Sequence, residues 1–155
     1  MPAVFARVDD RLIHGQIVQG WLPGMKLDEM VVVLEDADRL SKDLMRLALP
    51  PEYGLKVLNA GEAAGYVNSS ASRVFLLFEN LESLEAAVKK GLNLKSINIG
   101  GLHYREGRDK ILRDVYLTPK ERDFVKKLIN GGVDVDGRSV PAEPHTNLKD
   151  MLCSL

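Results

Sequence analysis

Short β-branched and aromatic runs alternate along this chain with longer stretches whose apolar residues recur every three or four positions. The runs at 3–8, 29–35, 55–59, 73–78, 96–99, 114–117 and 133–138 predict strands. Between them, 41–49 places Leu44, Leu47 and Ala48 at helical spacing and stops at Pro50-Pro51, where neither proline continues the hydrogen-bond ladder. Residues 81–90 repeat the pattern with Leu84, Ala87 and Val88, and Gly91 supplies the C-terminal stop. The clearest start signal is Thr118-Pro119-Lys120-Glu121: Thr118 as N-cap, Pro119 at the first helical position and Glu121 closing a capping box. That helix is predicted to reach Asn130 and to end at Gly131-Gly132.

Strand, helix and strand in repetition imply parallel pairing with helices over both faces. The predicted class is α/β, with a mostly parallel central sheet of about seven strands. No internal repeat, low-complexity tract or Gly/Ser/Pro-rich linker interrupts the 155 residues, which are expected to form one domain. In the tail, 141–155, Pro141 and Pro144 predict a turn, after which Leu148, Met151 and Leu152 form a helical turn packed on the body.

Charge narrows the partners. Lys plus Arg (21) nearly cancels Asp plus Glu (22), so no overall field would hold a nucleic acid or an anionic membrane. The lone Cys153 has no partner for an internal disulfide and is read as inert, and the N-terminus lacks a secretory pattern. The longest apolar runs, at 30–34 and 74–78, are too short to span a bilayer. A cytoplasmic chain is expected, whose membrane role would need other subunits.

Chemistry concentrates in RVDDRLIHGQ, residues 7–16, directly after the first predicted strand. In open α/β sheets ligands bind at the carboxyl ends of strands, which is where His14 falls. If a helix starts over 15–19, the N–H groups of Gly15, Gln16 and Ile17 form an anion site beside the imidazole. Arg11 adds a forked cation that matches phosphoryl oxygens. A neutral imidazole is a nucleophile able to attack phosphorus, and a cation with a row of N–H donors is the main help a protein gives to phosphoryl transfer. One of the two acids, Asp10 first and Asp9 as an accessory, is expected to brace the imidazole or Arg11, or to bond backbone N–H groups of the turn. Gln16 either bonds phosphate or only sits at the first helical turn. Gly100-Gly101 reads as an ordinary turn, followed by His103 as an accessory titrating group at the same sheet edge. Nucleotide, dinucleotide and zinc signatures are absent, so neither cofactor nor metal is expected.

The stretch ARVDDRLIHGQIVQGW resembles the active-site segment of the IIB component of the mannose/fructose/sorbose family of the bacterial sugar phosphotransferase system (PTS). SINIGGLHYREGR, VYLTPKERDF and LINGGVDVDGRSVP are similar to later blocks of that family, in the same order. The resemblance implies a phosphocarrier that takes a phosphoryl group from phosphohistidine on a IIA protein and passes it to a sugar carried by the membrane subunits IIC and IID. It places the phosphorylated histidine at His14, on Nδ1 in family members, and the phosphate-stabilising arginine at Arg11. A docking rim around His14, including Trp21 and Leu22, would receive IIA, which is expected to be a separate protein. Homo-oligomerisation is left open. The alternative is a regulatory module of the same fold that signals phosphorylation state without sugar transport; a weaker third reading is an unphosphorylated binder of a small anion.

Overall fold

The computed structural model describes residues 4–152. Strand β1 (Val4–Asp9) leads into a π-helix (Gln16–Trp21) and a 3-10 turn (Leu22–Gly24), then β2 (Glu29–Val33), helix α1 (Arg39–Ala48) and β3 (Gly54–Leu58). There follow α2 (Ala60–Ser69), β4 (Val74–Phe78), α3 (Leu81–Lys89), β5 (Ser96–Gly101), β6 (Asp109–Leu112) and β7 (Val115–Leu117). The chain closes with α4 (Pro119–Asn130), β8 (Asp134–Asp136) and α5 (Leu148–Leu152).

Six strands form one parallel sheet in the order β3-β2-β4-β1-β5-β8. The segment expected as a further member, 114–117, leaves it. Its residues Val115–Leu117 pair antiparallel with β6 in a separate ribbon, Asp109 opposite Leu117. Strand propensity shows that a segment is extended but not which neighbour it pairs with, and β6, with two exposed polar residues in DKIL, had no apolar run to reveal it.

The period of two in the strands sorts the core into two layers. Ala6, Val8, Val74, Leu76 and Phe78 face α2, α3, α4 and α5 in one cluster. Phe75, Leu77, Met30 and Val32 face the π-helix and α1 in the other. Helix α2 escaped the sequence pattern because its core face is three alanines and a valine, Ala60, Ala63, Ala64 and Val67, though Asn59 and Glu62 form a capping box that signals its start. Gly91 follows α3 at φ 102°, the left-handed conformation expected of a helix stop.

Helix α1 is rotated from expectation. Met45 and the following Leu49 bury against the sheet, while Leu44 is exposed and Leu47 is 82% exposed. Both faces of that helix carry apolar residues at helical spacing, so periodicity locates a helix without choosing its inner face. In α5, Leu148 and Leu152 are buried but Met151 is exposed, contrary to the expected packing of all three. Cys153 lies outside the described residues. Among the described residues no helix is long and apolar enough to cross a membrane.

The topology supplies the site's address. From β1 the chain runs toward β2 on one side, and from β5 toward β8 on the other, so the two neighbours diverge at their carboxyl ends. Such a switch point opens a crevice. His14 follows β1 and His103 follows β5.

Candidate active site

Strand β1 reads VFARVD, and its alternation sends Phe5, Arg7 and Asp9 to the π-helix side while Ala6 and Val8 enter the opposite core layer. Arg7 and Asp9 are therefore neighbours on one face, and both are fully buried. Arg7 donates to Asp9 Oδ2 from Nη2 at 2.9 Å and from Nε at 3.3 Å. Its Nη1 donates to Asn98 Oδ1 at 2.7 Å and to the Arg138 carbonyl at 3.4 Å. Trp21 stacks within reach of two guanidiniums, 5.4 Å from Arg7 and 5.6 Å from Arg138, and its Nε1 donates to the Ser139 carbonyl.

Asp9 is the hub. The backbone N–H and Nε of Arg11 donate to Oδ1 at 3.0 and 3.2 Å, and Arg11 Nη2 donates to Oδ2 at 3.3 Å. His14 Nε2 lies 2.7 Å from Oδ2. Burial alone would raise the Asp9 carboxyl, but hydrogen bonds from His14 and Arg11 and the charge of Arg7 outweigh it and hold it well below the usual carboxylate range. Burial in turn lowers Arg7, and the Asp9 charge opposes that effect; guanidinium remains protonated.

An ionised carboxylate only accepts, so the His14 nitrogen facing Asp9 must carry the hydrogen. In the neutral ring the other nitrogen, Nδ1, keeps its lone pair, and the Gln16 N–H points at it from 3.3 Å. The imidazole is 17% exposed, close to solvent yet held from behind. The approach to it is strained: Leu12 sits at φ 59°, a conformation that costs a side-chain-bearing residue about 1–2 kcal/mol. The Asp9 carbonyl steadies that turn by accepting from the Leu12 N–H at 3.1 Å.

Several expectations need correction here. Asp10 does not brace His14 or Arg11: its carboxylate accepts from the His103 N–H at 2.8 Å and lies 2.7 Å from His103 Nδ1, so Asp9 alone of the two acids meets His14. The helix after His14 is a π-helix of six residues, whose Ile17 and Val18 N–H groups both donate to the His14 carbonyl at 3.0 Å. Ile17 is therefore spent as an anion donor, and the row of three expected N–H groups shrinks to Gly15, with the Gln16 N–H aimed at the Nδ1 lone pair. The Gln16 side chain accepts from Arg11 Nη2 at 2.8 Å, which ties the cation over the imidazole's loop. Trp21 and Leu22 are buried in the core layer beneath the site and form no docking rim. Exposed residues of the segments that carry His14 and His103 include Arg11, Gly15 and Tyr104, the last 68% exposed.

Gly100-Gly101 is a notch as well as a strand end. An added Cβ at Gly100 would overlap the Arg7 guanidinium, and one at Gly101 would lie 2.7 Å from the Asp9 carboxylate. The register between β1 and β5 shifts at this point, with Asp9 opposite Gly101. Arg7, Asn98 and the two glycines thus form the buried frame that sequence reasoning missed; the Arg-x-Asp spacing in β1 was the available signal. His145 is elsewhere, paired with Asp134 at the first residue of β8. Among the described residues no group of three or more His, Cys, Asp or Glu side chains is arranged to hold a metal ion.

Comparison with known proteins follows the same lines. Residues 3–155 match the family model described as the PTS system sorbose subfamily IIB component. The sorbose-specific EIIB component of Lacticaseibacillus casei is 31% identical over 153 residues, covering 96% of this chain and 93% of that protein. The mannose-specific EIIAB component of Escherichia coli strain K12 is 30% identical over 155 residues, 97% of this chain; the chain spans 48% of that relative's length. The crystal structure of the IIB domain of the Klebsiella pneumoniae sorbose permease superposes with a TM-score of 0.89 at 29% identity, covering 99% of this chain and 98% of that one.

Proposed function

Because the chain belongs to the PTS sorbose-subfamily IIB family, we propose that it is a phosphocarrier whose His14 Nδ1 receives a phosphoryl group from a phosphorylated IIA protein and delivers it to a sugar. The observation that carries this reading is the 2.7 Å pair of Asp9 and His14 Nε2, which leaves Nδ1 as the nucleophilic nitrogen. In the first transfer the Nδ1 lone pair bonds phosphorus as the donor's N–P bond breaks. The ring gains positive character, and the buried Asp9 carboxylate stabilises it through Nε2–H. Arg11, with its side chain 38% exposed beside the loop, meets the phosphoryl oxygens together with the N–H groups of Gly15 and of Gln16, the latter released once phosphorus takes the Nδ1 lone pair.

In the second transfer a sugar hydroxyl oxygen bonds phosphorus, Nδ1 regains its lone pair, and the hydroxyl proton leaves to solvent. A partly exposed imidazole with few donors suits both steps, since the group must arrive and depart. The sugar and the membrane subunits IIC and IID supply the acceptor side, and this chain reaches the membrane only through them. The transferase therefore needs no cofactor of its own.

Incubation with phosphoenolpyruvate, the general PTS proteins and a cognate IIA tests the proposal. The expected result is one acid-labile phosphate per chain, discharged to sugar phosphate when membranes bearing IIC and IID are added with sugar. No label from a phosphorylated, competent IIA contradicts it. Label that is never passed to sugar favours the regulatory module.

A further inference from the structure

Beside the site lies a second carboxylate–imidazole pair with a different environment. Asp9 collects Arg7, Arg11 and His14, whereas both oxygens of Asp10 go to one residue, His103. The Asp10 N–H donates to the Gly101 carbonyl at 2.8 Å, extending the β1–β5 ladder by one residue, and the strand alternation turns Asp10 away from the face that carries Asp9. His103 is itself fastened from behind. Arg108 Nη1 donates to its carbonyl at 3.0 Å, and the same guanidinium forms a buried two-pronged pair with Glu121, each bond 3.0 Å, at the start of α4.

We propose that His103 is a positioning residue of the phosphoryl-accepting site: its imidazole on Oδ1, added to its backbone N–H on Oδ2, fixes the orientation of the Asp10 carboxylate away from the His14–Arg11 side of the turn, and keeps a second negative charge off the phosphoryl group. The inference rests on the reading of His14 as acceptor. The physical need is plain. A phosphoryl group carries negative charge, Arg11 is its nearest forked cation, and Asp10 is the residue next to Arg11 in the chain. A loose Asp10 would compete for that guanidinium and repel the incoming group. The Asp10 clamp works with His103 neutral or charged, because Nδ1–H donates to the carboxylate in either form.

The test is the rate of phosphoryl uptake from a phosphorylated IIA by four variants, each checked for folding by circular dichroism. His103→Ala and His103→Leu, the second keeping side-chain volume, retain the backbone N–H on Oδ2 but lose the bond to Oδ1, which frees the carboxylate to turn; both are expected to be slowed about fivefold, the size of one like charge at the edge of a solvated site. His103→Asn, whose amide still donates to Asp10, is expected within about twofold of wild type. The double variant His103→Ala with Asp10→Asn is expected to recover to within about twofold, because the freed side chain no longer carries charge. Wild-type rates in both His103→Ala and His103→Leu overturn the proposal, and so does a double variant as slow as His103→Ala, which a merely structural role would produce. Failure of wild type itself to take label contradicts the carrier reading and the inference together, a result distinct from either of these.

Discussion

A chain carrying His14→Ala takes up no acid-labile phosphate and stays folded. The first part follows from the loss of the nucleophilic nitrogen, for which alanine has no substitute. The second follows from the frame behind it. Asp9 keeps its ion pairs to Arg7 at 2.9 Å and Arg11 at 3.2 Å, so no charge is left buried and alone. The cost is one charge-assisted hydrogen bond of a partly exposed side chain, about 1.5–3 kcal/mol. Phosphopeptide mapping beside a denaturant titration reads both parts. Label at wild-type stoichiometry in this variant would move the acceptor to another histidine.

Asp9→Asn is expected to do greater damage, to fold and chemistry alike. Six hydrogen-bond donors from Arg7, Arg11 and His14 converge on the two Asp9 oxygens, and asparagine offers one oxygen and an NH2 group in their place. Arg7, with no exposed surface, then becomes a buried cation without its counter-charge, a loss of about 3–5 kcal/mol. Phosphoryl uptake should fall by about a hundredfold or more, since nothing then fixes the Nε2–H tautomer or stabilises the charged ring. The sign of the pH dependence is set by the Asp9 carboxyl, which the fold holds below its unfolded value. Its contribution is fully present above the unfolded pKa of about 3.9 and is lost as pH falls below that toward the folded value. The stability gap between wild type and Asp9→Asn should therefore be widest near neutral pH and narrow below about pH 4. Unfolding midpoints at several pH values measure it, and a gap that widens with acid would contradict the assignment.

What could be read from sequence divides by how local the signal is. The capping box of Thr118 and Glu121 is contained in four residues, and α4 starts where it says. The strand-to-His14 loop was equally legible, because residue chemistry and chain position coincide there. Arg7 was not, since an arginine within a strand reads as exposed until Asp9, two residues on, is recognised as its partner across the same face. The choice between Asp9 and Asp10 turned on the same alternation. Gly100 looked like a turn because the side chain it makes room for lies in another strand. The inner face of α1 and the partner of β7 depend on three-dimensional neighbours, for which a period alone carries no information.

The most direct test is the nitrogen that carries the phosphoryl group. Nitrogen–phosphorus NMR on the 15N-labelled, phosphorylated chain distinguishes the two imidazole positions without mutation. Phosphorus bonded to His14 Nδ1, with Nε2 still protonated toward Asp9, is the expected result. Phosphorus on His14 Nε2 would require the Asp9–His14 pair to break, and phosphorus on any other residue would remove His14 from the chemistry; either contradicts the proposed mechanism.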